Sequence, residues 1–172
     1  NIAIDNNNNL VVAGTFRSTL NFQSTTVNSS IANGLNWFSA RFNPAGNLLT
    51  LKNYNINGTS LQDMTINSKN ETIVIGNYRD SIELNGTKRF SNGGEDILVV
   101  ALEDNLDLKW FQTGGGGNFD AGIGVQSDNS PNFYLLGSYR GLSQFGSTFF
   151  SGAINNTNSI LIKMSECGTT PI

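Results

Sequence analysis

Three stretches of this chain read almost alike: AGTFRS at 13–18, IGNYRD at 75–80 and LGSYRG at 136–141. Their glycines, Gly14, Gly76 and Gly137, lie 62 and then 61 residues apart. Self-similarity at a fixed interval constrains a fold more than any single motif, because each copy is a unit that buries its apolar face only by stacking on its neighbours. Alignment on these glycines brings IAIDNNNNLVVAGTF, MTINSKNETIVIGNY and IGVQSDNSPNFYLLGSY into register. In each, a short alternating run leads through a polar loop to a strongly apolar run, which is a hairpin signal.

Beyond each Arg comes a weaker strand pair, such as SIEL and KRF around Asn85-Gly86, a favoured two-residue hairpin turn. A second strong strand follows: NWFSARF at 36–42, DILVVAL at 96–102 and NSILIKM at 158–164. Turns (NPAGN, EDNLD) and further strands (LLTLKNY, LKWFQTG) come next. No segment carries a 3.6-residue apolar period over a helix length, so no helix is expected. The 26 Asn, 17 Ser, 14 Thr and 19 Gly suit a turn-rich chain, since Asn and Gly tolerate positive φ and Ser and Thr bond the local backbone. The unit is about 60 residues with four or five strands, placing approximate repeats at 1–47, 48–106 and 107–166 and a tail or linker start at 167–172.

The central strands LVVA, TIVI and FYLL are apolar at nearly every position. A strand buried on one face alternates, whereas one buried on both need not. Small antiparallel sheets stacked face to face meet that condition, so the expected fold is all-β, with β-propeller-like blades, about three of them. Solenoid rungs repeat at a shorter interval of about 20–30 residues. The polar loop, apolar strand, Gly, small residue and aromatic, followed by an Asp-led apolar strand, resemble the SBBP-type β-propeller repeats of secreted and cell-surface bacterial proteins. That resemblance implies a propeller, an extracellular setting and no common catalytic activity. Two features depart from it: NWFSARF lacks the Asp, and MSECGTTPI ends the last copy without a following strand. Propellers close with about four to eight blades. Three blades therefore imply part of a larger ring, or a ring completed by another copy of the chain.

Arg17, Arg79 and Arg140, with Phe16, Tyr78 and Tyr139, occupy equivalent positions. Arg binds anions bidentately and aromatic rings stack on sugars or cations, so Arg17, Arg79, Arg140, Tyr78 and Tyr139 are the candidate ligand or partner contacts. The simpler reading makes them structural, with the Gly admitting a neighbouring blade, the aromatic filling the wedge and the Arg covering its edge. TGGGGNFD at 113–120 precedes no helix and reads as a flexible inter-strand loop rather than a phosphate cradle. Absence of His removes the usual Ser-His and Cys-His arrangements. Glu95-Asp96 and Glu103-Asp104 read as turn and strand-edge residues, and nothing in the sequence pairs Asp63, Asp80 or Asp120. The Asn- and Asp-rich loops at 5–9 and 127–132 lack the alternating acids and closing Glu of a calcium loop. No cofactor, metal or catalytic residue is expected, and the lone Cys167 excludes an internal disulfide.

Net charge is −3, and the ten Lys and Arg are scattered, which argues against a nucleic-acid partner. No apolar run approaches a membrane span. Five N-x-S/T sequons, at Asn28, Asn57, Asn70, Asn85 and Asn155, match the roughly five that this composition gives by chance. DSI at 80–82 resembles the Asp-Ser/Thr-apolar O-glycosylation motif of exported Bacteroidetes proteins. The expected function is a secreted or cell-surface, non-catalytic adhesion, scaffold or protein-interaction module. The alternatives are a carbohydrate-binding propeller using Trp37, Trp110 or Tyr139, and a fragment of a propeller enzyme.

Overall fold

The computed structural model describes residues 1–29, 34–54, 56, 58–128 and 130–165, with the backbone alone for 168–171. Asn57 and Cys167 lie outside the described residues. The chain is all-β, and no helix occurs among the described residues. Among the described residues the strands come in three sets of six. The first comprises β1 (Ile2–Ile4), β2 (Leu10–Phe16), β3 (Thr19–Phe22), β4 (Thr25–Asn28), β5 (Asn36–Phe42) and β6 (Leu48–Asn53). The second comprises β7 (Thr59–Ile66), β8 (Thr72–Tyr78), β9 (Ser81–Leu84), β10 (Thr87–Phe90), β11 (Asp96–Leu102) and β12 (Leu108–Gly116). The third comprises β13 (Ala121–Ser127), β14 (Phe133–Tyr139), β15 (Leu142–Phe145), β16 (Thr148–Ser151), β17 (Asn158–Ser165) and β18 (Gly168–Pro171).

Within each set the first, second, fifth and sixth strands form an antiparallel sheet, while the third and fourth make a hairpin that leaves it. None of the sheets closes into a barrel. β6 hydrogen-bonds within the first sheet, although its residues open the second sequence repeat. The tail is not a bare linker: Gly168–Pro171 pair with β17 as an edge strand, the position where a ladder tolerates proline.

The alternation of side chains decides which faces meet. Val11, Ala13 and Trp37 of the first sheet join Val74, Leu98 and Val100 of the second in one buried cluster. On the opposite face of the same strands, Ile73, Ile75, Ile97 and Val99 join Leu135, Ile160 and Ile162 of the third sheet. β8 and β11 are buried at every position, which is why their sequences do not alternate.

The Asn-rich loops share one backbone solution. Asp5, Asn43 and Asn67 each head a five-residue turn whose first N–H donates to the fifth carbonyl, at 2.9, 2.9 and 3.1 Å. The head Oδ1 accepts from the third and fifth N–H groups. The fourth residue takes positive φ, at Asn8, Gly46 and Asn70. The turn at 103–107 keeps the backbone bonds but places Leu106 at φ 65°. Leu106 is fully buried between the first two sheets, and that burial offsets the left-handed strain.

The motif glycines serve their own sheet first. β7 bulges between Leu61 and Asp63, and β13 between Gly122 and Gly124, with Gly76 and Gly137 directly opposite. A Cβ on Gly76 would lie 2.1 Å from the Ser60 carbonyl oxygen, nearer than any atom of the neighbouring sheet. The glycine tract is a larger departure from expectation. Gly114–Gly116 end β12 as strand and pair with Phe145, Gln144 and Ser143 of β15. Cβ atoms there would meet Phe145 at 2.2 Å, the Asp96 carboxyl at 2.3 Å and the Leu142 carbonyl at 2.0 Å. Tyr54 and Ile56, just after β6, hold the corresponding place beside the first sheet and fill the core instead. The β9–β10 hairpin consequently stays a separate two-stranded sheet, whereas β15–β16 extends the second sheet.

Candidate functional site

The recurring motif marks the end of each central strand. The residue after each Arg (Ser18, Asp80, Gly141) has φ of 60°, 64° and 70° and turns the chain into the hairpin. Its carbonyl accepts the N–H of Ser29, Ser91 or Gly152, closing the hairpin base at 2.7, 3.0 and 2.9 Å. The aromatic secures the same hairpin. The Tyr78 hydroxyl donates to the Phe90 carbonyl at 3.1 Å, and Tyr139 to that of Ser151 at 3.4 Å. Phe16, which has no hydroxyl, packs edge-on against Phe38.

The arginines turn to local partners. Arg79 reaches Glu95 at 3.5 Å and lies over the Phe119 ring, while Arg140 donates from Nε to Thr157 Oγ1 at 3.2 Å. Arg17 is exposed. Tyr78 is buried, so its ring is closed to a ligand, and Tyr139 is half-buried against Phe150. Trp37 lies buried between the first two sheets, and Trp110 stacks on Phe133 between the second and third.

The structure assembles a different cluster around the glycine tract. Asp96 opens β11 at a position where the other repeats carry Asn36 and Asn158. It is not a solvated strand-edge residue: it is buried, with Oδ2 accepting the Asn92 N–H at 2.9 Å and Oδ1 accepting no hydrogen bond. Burial pushes its carboxyl up to about 7; the Asn92 N–H opposes this, and the charge of Asp120 adds to it. Asp120 is buried and satisfied, accepting from the Gly116 N–H at 2.7 Å, the Ser143 hydroxyl at 2.8 Å and the Arg140 N–H at 3.3 Å. It thereby ties β12, β15 and the end of β14 together. The sequence signals for this cluster are an Asp where the alignment has Asn, and glycines where it has Tyr and Ile.

Above the cluster lies an open groove of about 440 Å³ between the β9–β10 and β15–β16 hairpins. Arg89, Phe90, Phe111, Gln112, Gln144 and Asp96 line it. Phe90 is 71% exposed, Lys88 lies over its ring at 5.1 Å, and the Arg89 guanidinium lies over Phe111 at 5.8 Å. No helix of the described residues is long and apolar enough to cross a membrane. Comparison with protein-family models gives no match to this chain, and comparison with curated proteins gives none either.

Proposed function

We propose that the chain is a β-propeller segment of the SBBP type, acting as a secreted or cell-surface interaction module without catalytic chemistry. The observation that carries this reading is a division of labour. The repeated residues hold sheets and hairpins together, while an open groove is lined by side chains that differ between repeats, among them Arg89, Phe90 and Gln112. Three equivalent sheets stacked through two apolar layers support the propeller reading. So does the outer face of the third sheet, where Leu136 and Leu161, 42% and 43% exposed, occupy the positions of the buried Ile75 and Val99. Those positions suit a further stacked unit, from the rest of its own propeller or another copy of the chain. The carboxylates fit a structural role, since Asp120 accepts three protein donors and Asp96 is sealed from solvent.

The test is saturable binding of the fluorescently labelled chain to whole cells or extracellular matrix, beside a panel of glycosidic, ester and peptide substrates. Saturable binding without turnover is expected. Turnover of any substrate, or only unsaturable background, overturns the reading.

A further inference from the structure

We propose that the groove between the β9–β10 and β15–β16 hairpins is a sugar-binding site for neutral glycans. This deepens the interaction-module reading and rests on it. The volume, about 440 Å³, falls within the range of small-ligand sites. Phe90 stands at the rim with most of its ring in solvent, although nothing in the packing of its hairpin requires an aromatic there. A flat exposed ring of this kind packs against the C–H face of a pyranose. Gln112 and Gln144 face the same space. Each amide both donates and accepts, matching hydroxyls that do the same.

The charges narrow the ligand further. Arg89 supplies donors, held over Phe111. Asp96 at the floor, 3% exposed, supplies the opposite sign and an Oδ1 with no donor. A carboxylate beneath the floor, with its Oδ1 buried against Gly115, disfavours anionic ligands in the groove above it. An apolar peptide finds little purchase on a lining of amides and charges.

The whole chain, isotopically labelled, is titrated with neutral disaccharides (maltose, cellobiose, lactose and N,N′-diacetylchitobiose) to about 20 mM and followed by amide NMR shifts. Saturable shifts confined to residues 88–92, 111–115 and 143–146 are expected for at least one sugar. Phe90→Ala then weakens that binding at least about tenfold and Gln144→Ala about threefold. Both positions are exposed, so the melting temperature stays unchanged and isolates the binding effect. The proposal falls if no disaccharide gives saturable shifts, if they map elsewhere, or if Phe90→Ala binds like the parent. It falls equally if only acidic sugars or a peptide bind in the groove. Cell binding that survives such a failure leaves the interaction-module reading standing and removes the sugar alone.

Discussion

Replacing Asp96 by Asn makes this position the same in all three repeats and tests the electrostatics of the cluster. The carboxyl stands at about 7 against an ordinary 3.8, chiefly through burial, so the folded chain holds this proton more tightly than the unfolded chain does. Stability follows the difference in bound protons between the unfolded and folded states. Between about pH 4 and 7 the folded state binds more, so the Asp96 contribution declines as pH rises through that window and is level on either side. Three units at about 1.4 kcal/mol each set an upper limit near 4 kcal/mol. The Asn side chain keeps an oxygen for the Asn92 N–H and carries no charge to desolvate. D96N is therefore expected to be more stable than the parent by about 2–4 kcal/mol at pH 8 and within about 1 kcal/mol of it at pH 4. Urea unfolding followed by tryptophan fluorescence at pH 4, 6 and 8 measures both chains, and their difference cancels every other titrating group. A difference that does not grow with pH, or a D96N chain less stable at pH 8, refutes the argument.

Gly116→Ala drives a Cβ to within 2.0 Å of the Leu142 carbonyl oxygen and is expected to detach the β15–β16 hairpin, drawing Phe145 from the core at about 3–5 kcal/mol. Hydrogen exchange checks this as lost protection confined to residues 142–151 and their β12 partners. Arg41→Gln leaves the Asp5 carboxylate buried without its cation, 3.3 Å from Nε, and cuts the link to Asp104 of the second sheet. Denaturant midpoints should report a loss of about 3–5 kcal/mol, little changed by salt. Tyr78→Phe removes the hydroxyl that bonds the Phe90 carbonyl and the Thr113 side chain and should cost about 0.5–1.5 kcal/mol in the same assay.

Much of the framework could be read before any coordinates. The all-apolar central strands pointed to sheets buried on both faces, and Asn85-Gly86 to a tight hairpin, where both residues do take positive φ. The interval between the glycines located the equivalent strands, because a stacked unit must repeat its packing face. The bulges stayed hidden: a bulge shifts pairing by one residue and leaves the apolar pattern almost unchanged, as opposite Gly76. The tract Gly114–Gly116 reads as a loop in the sequence because glycine usually marks loops, whereas here it marks close approach by a neighbouring strand. Asp96 reads as a turn or strand-edge residue in the sequence because burial is a property of the assembled sheets, and its neighbour Asp120 lies outside its own strand.

That last failure bears on where function resides. A fold made of equivalent units needs equivalent residues at its joints, so the repeated Gly, aromatic and hairpin-closing residue are accounted for by geometry alone. Departures from equivalence need a separate cause. In the second set of strands, two departures are Asp96 in place of Asn and Gly114–Gly116 in place of Tyr54 and Ile56, and Asp96, Gly114 and Gly115 border the same groove. The first introduces a charge that burial disfavours, and the second gives up two core side chains. Neither improves packing of the second sheet against the first. Both shape the floor of a groove whose rim carries an aromatic ring left in solvent. A costly floor beneath an exposed ring is what a binding site requires and a spacer does not. The breaks in the repeat, more than the repeated motif, thus support the proposed sugar site.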